Sequence, residues 1–425
     1  MIKGGHVIDP AAKLDAPMDV LLREGHVAEV AAPNKIRSSA DKTFDARGLI
    51  VAPGFIDLHV HLREPGQSYK ESIATGTAAA AAGGFTSVCC MPNTSPVVDS
   101  PEWVTWIQQP ERAAVVNVFP IAAATHASKG AVLTDFGALQ RAGAVAVSDD
   151  GRPILNDAIM RDTLRAASGI NLPVIQHAED TRMTENCSMN EGPMSFRLGL
   201  RGMKTAAEAS VVERDVQLAQ QFAGARLHVA HLSTADALKA VRRGKRGKAR
   251  ITCEVTPHHF SLTDADVGDY NSNFKMNPPL RANADREAIL VALADGTIDA
   301  IATDHAPHAT HEKIIEFERA LFGITGLETA LGLAITRLHR DHKIPLARIV
   351  ELFTAGPARV IDLRGRGTLA RGSHADVTIF DPKKRWTFEA AKSRSKSHNT
   401  PFDGWQLTGK VVATIVSGKI VHRAD

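Results

Sequence analysis

The sequence predicts an α/β protein in which a closed (β/α)₈ barrel of the TIM type carries a small β domain built from both chain termini. The middle of the chain alternates eight short apolar runs with alanine-rich helical patterns, which is typical of parallel α/β folds. A count of eight favours a closed barrel over an open sheet. Both ends instead alternate apolar and polar residues with glycine at the bends, as short strands and turns do. The length of 425 residues fits one large barrel with an appendage.

These patterns divide the chain into residues 1–52 (first part of the β domain), 53–360 (barrel) and 361–425 (second part of the β domain). The apolar runs that we predict as barrel strands are Phe55–His61, Thr86–Met91, Val115–Ala123, Ala144–Ser148, Pro173–His177, Arg226–His231, Ile251–Thr256 and Ala300–Thr303. The segments that we predict as helices are Lys70–Ala82, Asp135–Ala142, Asp157–Ala167, Ala206–Phe222, Ala235–Arg242, Arg286–Ala294, Gly326–Arg340 and Leu346–Thr354.

The composition excludes several classes of protein. Hydrophobic residues make up 44% and charged residues 23% of the chain, so it can bury a core and is not globally disordered. The 50 basic and 47 acidic residues leave a net charge of +3, which argues against a nucleic-acid partner. We see no signal-peptide pattern, no membrane-length apolar stretch and no disulfide framework among the four cysteines, so we expect a cytoplasmic protein without a membrane partner. No G-x-G-x-x-G or P-loop motif follows a predicted strand, which argues against the commonest types of nucleotide-binding site.

Polar residues concentrate at the ends of the predicted strands. His59 and His61 lie two apart at the end of the first strand, so their side chains leave the same face. Five of the eight predicted strands end in histidine or aspartate, and catalytic groups of such barrels come from those strand ends. The residues at the other four strand ends are Asp149 and Asp150, His177, His231, and Asp304 with His305 and His308.

This set predicts a metal centre. Four histidines and two aspartates drawn from these strand ends would offer nitrogen and oxygen ligands without thiolate, an inventory that favours zinc over magnesium or calcium. Six ligands are too many for one tetrahedral zinc that keeps a place for water, but they suffice for two ions that share a carboxylate and a hydroxide. Asp149 and Asp150 are equally placed for the bridging position on these grounds. Each residue alone could instead be a capping aspartate or a structural histidine.

Residues of the same loops suit a small anionic substrate with several carbonyl groups. Arg63 follows the H-x-H pattern, and Asn93 and Asn277 lie in the loops after the second and seventh predicted strands. The alternative is ordinary loop chemistry, with a solvated arginine and two turn-forming asparagines.

The sequence resembles the amidohydrolase superfamily, and within it the bacterial type I dihydroorotase family. The segments that carry the resemblance extend from Gly54 to Trp405, and they are GFIDLHVHLREPG, GGFTSVCCMPNT, VSDDG, CEVTPHHF, NFKMNPPLR, ATDHAPH, FGITGLETA and NTPFDGW. The resemblance implies a (β/α)₈ barrel with a small β-sandwich from both termini. It also implies reversible hydrolysis of the cyclic amide of (S)-dihydroorotate to N-carbamoyl-L-aspartate, in pyrimidine (UMP) biosynthesis, by a hydroxide held between two zinc ions.

The resemblance also implies a role for individual residues. His59, His61 and Asp304 would bind the first metal ion, His177 and His231 the second, and Asp150 would bridge the two. Asp304 would in addition transfer the proton. The implied substrate contacts are His61, Arg63, Asn93, Asn277, His308 and the backbone of Phe322 and Gly323.

Two alternatives stay open. A hydantoinase-like or allantoinase-like cyclic amidase would share the barrel, but those enzymes bridge their metals with a carboxylated lysine near the end of strand four, and here no lysine lies between Lys129 and Lys204. A non-catalytic subunit that supports aspartate carbamoyltransferase would typically have lost metal ligands, and this chain keeps all six. The resemblance leaves a homodimer and a complex with that carbamoyltransferase as expected partners to be tested.

The sequence departs from the family at one position. Leu321 stands where the family usually has proline before the Phe322-Gly323 pair. A leucine has a backbone N–H and a freer φ angle than proline, so the sequence predicts a less constrained loop.

Overall fold

The computed structural model describes residues 1–424. Its strands are β1 (Ile2–Asp9), β2 (Leu14–Arg23), β3 (His26–Ala31), β4 (Phe44–Asp45), β5 (Ile50–Pro53), β6 (Phe55–Val60), β7 (Phe85–Cys90), β8 (Asn117–Ala122), β9 (Ala146–Val147), β10 (Val174–Gln176), β11 (Met189–Asn190), β12 (Gly202–Met203), β13 (Arg226–Val229), β14 (Arg250–Val255), β15 (Ala300–Ile301), β16 (Val377–Thr387), β17 (Gln406–Val416) and β18 (Lys419–Arg423).

Eight parallel strands form the barrel, in the order β6-β7-β8-β9-β10-β13-β14-β15. Residues just beyond β15 close it, because His305 forms a parallel bridge with Val60 and the His61 N–H donates to the His305 carbonyl at 2.8 Å. Each of the eight predicted apolar runs overlaps one of these strands, and only β7 and β14 begin one residue before their predicted runs, so the predicted barrel is confirmed.

The α-helices pack mainly around the barrel. They are α1 (Ile73–Ala82), α2 (Pro101–Ile107), α3 (Phe136–Ala142), α4 (Asp157–Gly169), α5 (Thr181–Thr184), α6 (Pro193–Leu198), α7 (Thr205–Ala219), α8 (Ala235–Gly244), α9 (Pro257–Ser261), α10 (Asn283–Asp295), α11 (Thr310–Lys313), α12 (Ala330–Leu333), α13 (Leu346–Phe353) and α14 (Ala355–Val360). A π-helical segment, Ala334–Asp341, continues α12. The sequence reasoning missed α2, a short helix between β7 and β8 that begins with a proline.

A second sheet contains strands from both chain ends, in the order β18-β17-β16-β5-β1-β2-β3, with β4 paired to β1. Strand β5 pairs in parallel with β1 and antiparallel with β16, so the N-terminal and C-terminal strands join at the β5–β16 pair to form one mixed sheet. The predicted β domain from both termini is therefore confirmed. The barrel packs closely on it at Gly84 (φ +90°), whose missing Cβ leaves room for Thr378 and Phe55.

The barrel has one closed end and one end that carries the candidate site. Ile56, Cys89, Ile121 and Ile175 belong to a buried cluster that also includes residues of α14, as expected for a packed barrel interior. Helix α14 covers the end where the strands begin, because Arg226 at the start of β13 donates to the Val360 carbonyl at 2.7 Å. Among residues 1–424, no helix is both long and apolar enough to cross a membrane.

Candidate active site

The carboxyl ends of the barrel strands surround a cavity of about 240 Å³. The cavity is lined by every residue that the sequence assigned to metal, catalysis or substrate: His59, His61, Arg63, Asn93, Asp150, His177, His231, Asn277, Asp304, His308, Phe322 and Gly323. The fold thus brings together residues that lie up to 264 positions apart, counting from His59 to Gly323.

One half of the predicted metal centre forms around the end of β6. His59 Nε2 lies 3.5 Å from Asp150 Oδ1 and 3.5 Å from Asp304 Oδ1. His61 Nε2 lies 3.0 Å from Asp304 Oδ1 and 3.7 Å from Asp150 Oδ2. Two imidazoles and two carboxylates therefore converge on one point.

The other half forms around the ends of β10 and β13. His177 Nδ1 lies 2.9 Å from His231 Nε2 and 3.7 Å from Asp150 Oδ1. Donor atoms of His59, His61 and Asp150 form one group within 4.8 Å, and those of Asp150, His177 and His231 form another. Asp150 belongs to both groups, as the predicted bridging ligand would.

Several atoms of this cluster lack a hydrogen-bond partner. His59 Nε2, Asp150 Oδ1 and His231 Nδ1 are buried and unpaired among the described residues. Buried polar atoms are normally paired, and His59 Nε2 and Asp150 Oδ1 lie 3.5 Å apart, so this unpaired nitrogen and oxygen fit a bound cation. Burial raises the pKa of Asp150, but His59, His61 and His177 lower it well below its ordinary value, so the carboxylate is ionised as a metal ligand must be.

The backbone is strained at three of the cavity residues. Arg63, His231 and Asp304 have φ angles of 60°, 30° and 47°, in the left-handed region that residues with a Cβ rarely adopt. Such strain persists where surrounding contacts fix the chain, and it is concentrated at functional sites.

The structure separates the two aspartates that the sequence left equivalent. Asp149 does not line the cavity, and it accepts hydrogen bonds from the Thr125 backbone N–H (3.0 Å) and hydroxyl. Asp150 faces the cavity instead. Asp149 therefore holds the loop after β8, and Asp150 alone is placed between the histidines.

Arg63 and His308 form the cationic side of the cavity. The Arg63 side chain is buried and donates to the Pro307 carbonyl at 3.1 Å, and its second amino group lies 3.4 Å from His308 Nε2. Among residues 1–424, no carboxylate lies within ion-pair distance of Arg63. Burial lowers the Arg63 pKa to about 10, and burial next to Arg63 and Lys70 lowers the His308 pKa to about 2. A charged guanidinium beside a neutral imidazole suits an anionic ligand.

The two predicted amides and the predicted glycine are already engaged by the protein. Asn93 donates to Asp150 Oδ2 at 2.8 Å, and its oxygen lies 2.9 Å from His61 Nδ1. Asn277 donates to a glutamate at 2.8 Å, and the Gly323 N–H donates to the Lys275 carbonyl at 3.0 Å. A substrate contact at Gly323 would therefore require its N–H to leave that carbonyl.

Sequence reasoning missed Glu254 of β14. This fully buried carboxylate lies 3.3 Å from His59 Nδ1 and 3.2 Å from His228 Nε2. Burial raises its pKa, but the two histidines lower it to about 2, so it is ionised. It fixes the His59 ring with Nε2 toward the cavity. The available signal was an acid within the otherwise apolar strand RITCEV.

Sequence reasoning also missed Glu179. Its Oε2 lies 2.9 Å from His177 Nε2 and accepts from Asn277 Nδ2 at 2.8 Å. One carboxylate thus connects a predicted metal ligand with a predicted substrate contact. Its position two residues after His177 was the only signal in the sequence.

The loop that contains Leu321 is tied down despite the absence of proline. The Leu321 N–H donates to the Glu312 carbonyl at 3.2 Å, and the Leu321 carbonyl accepts from Lys313 Nζ at 2.8 Å. The backbone N–H that leucine restores is therefore used by the fold.

Known proteins resemble this chain in sequence over its whole length. A family model described as dihydro-orotase-like matches residues 48–237. A dihydroorotase from Citrifermentans bemidjiense is 51% identical over 100% of this chain and 99% of its own length. A dihydroorotase from Solibacter usitatus is 52% identical over 98% of this chain and 96% of its own length. The chain belongs to the dihydroorotase family.

Solved structures place the fold of this dihydroorotase-family chain among the hydantoinases. An L-hydantoinase (dihydropyrimidinase) from Arthrobacter aurescens matches with a TM-score of 0.88 at 24% identity, over 99% of this chain and 95% of that one. A dihydropyrimidinase from Brevibacillus agri matches with a TM-score of 0.83 at 23% identity, over 99% and 94%. At these identities the likeness concerns the fold alone.

Proposed function

We propose that this member of the dihydroorotase family hydrolyses the cyclic amide of (S)-dihydroorotate reversibly to N-carbamoyl-L-aspartate, a step of pyrimidine (UMP) biosynthesis. The observation that supports it most strongly is Arg63, a buried guanidinium that has no carboxylate partner among residues 1–424, in the same cavity as a histidine–aspartate cluster. A ring that carries both a carboxylate and a cyclic amide would pair its carboxylate with Arg63 and present its amide to the histidine–aspartate cluster.

The cluster is proposed to hold two zinc ions. His59, His61 and Asp304 would bind one, His177 and His231 the other, and Asp150 both. When bound, zinc polarises an amide carbonyl and lowers the pKa of water toward neutrality. The unpaired atoms His59 Nε2 and Asp150 Oδ1 support this assignment.

Asp304 is the proposed proton carrier. Burial raises its pKa, but His59, His61 and His231 lower it below its ordinary value, so at neutral pH it is ionised and can accept a proton. It takes the proton of the attacking water and gives it to the ring nitrogen as the carbon–nitrogen bond breaks, and reversal of the same transfers closes the ring.

Arg63 and His308 are proposed to bind the substrate carboxylate. Arg63 carries the charge, and its bond to the Pro307 carbonyl directs the guanidinium into the cavity. Asn93 and Asn277 contribute by orienting Asp150 and Glu179, to which they donate. Any hydrogen bond that Asn93 or Asn277 makes to the substrate would use the donors and acceptors that these bonds leave free.

The test measures turnover of dihydroorotate, dihydrouracil and allantoin on one preparation whose zinc content is determined. We expect dihydroorotate to be preferred and about two zinc ions per chain. A preference for dihydrouracil or allantoin would instead support a hydantoinase-like or allantoinase-like amidase. No turnover of any of the three, with metal bound, would support a non-catalytic subunit.

A homodimer, a complex with aspartate carbamoyltransferase and a cytoplasmic location are further proposals that rest on the family resemblance. All four cysteines are free thiols, which fits a reducing compartment. Light scattering of the chain alone and mixed with a carbamoyltransferase tests the first two.

A further inference from the structure

The segment Ser395–Asn399 runs from the second half of the terminal β domain across the mouth of the barrel. The Ser397 hydroxyl donates to the Lys70 carbonyl at 2.6 Å, and the Ser395 hydroxyl donates to Glu71. Glu71 in turn lies 3.3 Å from His305 Nε2. This segment therefore contacts the loops that follow both β6 and β15.

Asn399 makes the bonds nearest to the cavity. Its Nδ2 donates to the Ala306 carbonyl at 3.1 Å and the Gly323 carbonyl at 3.0 Å, and its Oδ1 accepts from the His308 N–H at 2.9 Å. The Asn399 carbonyl also accepts from the Thr325 N–H at 2.9 Å. The side chain is buried, so water does not replace these partners.

These bonds add to contacts that join the same two loops directly: His308 Nε2 lies 2.8 Å from the Phe322 carbonyl oxygen, and the Ala306 N–H donates to the Ile324 carbonyl at 2.8 Å. Asn399 bonds to both loops from the C-terminal part of the chain. Ala306 and His308 belong to the loop after β15, whereas Gly323 belongs to the loop beyond α11, and Ala306, His308 and Gly323 all line the cavity. An asparagine supplies two donors and one acceptor in one plane, and all are used here. Without them, the His308–Phe322 contact and the Ala306–Ile324 bond alone would hold the two loops together, so His308 and Gly323 would be less firmly fixed relative to Arg63.

We propose that Asn399 is a positioning residue that, together with the direct contact between His308 and the Phe322 carbonyl, fixes His308 relative to the Phe322-Gly323 backbone and thereby the affinity for the substrate carboxylate. The inference rests on the proposed function, because it takes dihydroorotate as the substrate. It assigns a role in substrate binding to the NTPFDGW motif, which lies outside the barrel in sequence.

The experiment compares Asn399→Ala with wild type in steady-state kinetics on dihydroorotate, with zinc content and melting temperature measured on the same samples. We expect KM to rise about 10–100-fold while kcat changes much less, since a displacement of about 1 Å in a binding group costs up to about 10²-fold. Zinc content should stay at the wild-type level, because Asn399 contacts no proposed ligand. Asn399→Ser, which keeps one hydroxyl, should fold more readily and show a smaller rise in KM.

Thr400→Val is the matched control. Thr400 is the next residue, is equally buried, and its hydroxyl accepts only from the Phe402 N–H among the bonds recorded for it. Its KM should stay at the wild-type value. An unchanged KM in both Asn399 variants, or an equal rise in Thr400→Val, would overturn the positioning role while leaving the proposed function intact. A wild-type chain without turnover of dihydroorotate would overturn both.

Discussion

Replacing Glu254 by glutamine tests whether the buried carboxylate of β14 prepares His59 for metal. Both oxygens face imidazoles, at 3.3 Å from His59 Nδ1 and 3.2 Å from His228 Nε2. Glutamine has nearly the same shape but only one acceptor oxygen, so one of the two rings loses its partner. Partners of this kind behind a metal ligand are typically worth 10–100-fold in metal affinity, which is about 1.4–2.7 kcal/mol.

The assay titrates metal-free Glu254→Gln and wild type with zinc in competition with a chelator of known affinity. We expect Glu254→Gln to bind zinc about 10–100-fold more weakly than wild type. Asp19→Asn is the control, because Asp19 is a buried carboxylate of the terminal sheet that accepts only from the backbone N–H groups of Gly4 and Asn34. A variant that binds zinc as tightly as wild type, with normal folding, would refute the orienting role of Glu254.

The other predictions concern the proton carrier, the substrate carboxylate and the loop beyond α11. Asp304→Asn should lose about 10²–10⁴-fold in kcat while keeping most of its zinc, because the amide keeps one oxygen ligand but is no base. Arg63→Met should lose about 10–150-fold in kcat/KM on dihydroorotate and almost nothing on dihydrouracil, which lacks the carboxylate. Lys313 donates to three backbone carbonyls, and burial lowers its pKa from 10.5 to about 7. Between those two pH values the unfolded chain binds more protons than the folded one, so the free energy of unfolding should rise with pH relative to Lys313→Met, by at most about 1.4 kcal/mol per pH unit.

Each of these predictions has an outcome that contradicts it. If Asp304→Asn kept the wild-type kcat, Asp304 would be excluded as the general base. Equal losses on both substrates in Arg63→Met would mean that Arg63 supports the barrel mouth and does not bind the carboxylate. Parallel curves of unfolding free energy against pH, from urea denaturation of wild type and Lys313→Met, would show that Lys313 stays charged in the folded state.

The sequence by itself determined the barrel and most of the residues around its cavity. Each barrel strand is a short apolar run, and strand and helix patterns are local properties that a single chain segment carries. His59, His61, His177 and His231 could be predicted because strand ends of a parallel barrel meet at one face whatever the details of packing. Helix α2 escaped prediction because it is short and begins with a proline in a loop-like segment.

The family resemblance favoured Asp150 over Asp149, but only the tertiary structure shows the physical difference between them, because Asp150 alone faces the cavity. They are neighbours in VSDDG with the same chemistry, and the choice depends on the Thr125 hydroxyl and N–H, which hold Asp149 from another loop. The proposed roles of Glu254 and Asn399 also depend on partners that are far away in the sequence. Glu254, for example, lies 195 positions from His59. Hydrogen bonds between loops leave no periodic pattern in the sequence, because their geometry exists only after the barrel has closed and the terminal β domain has packed against it.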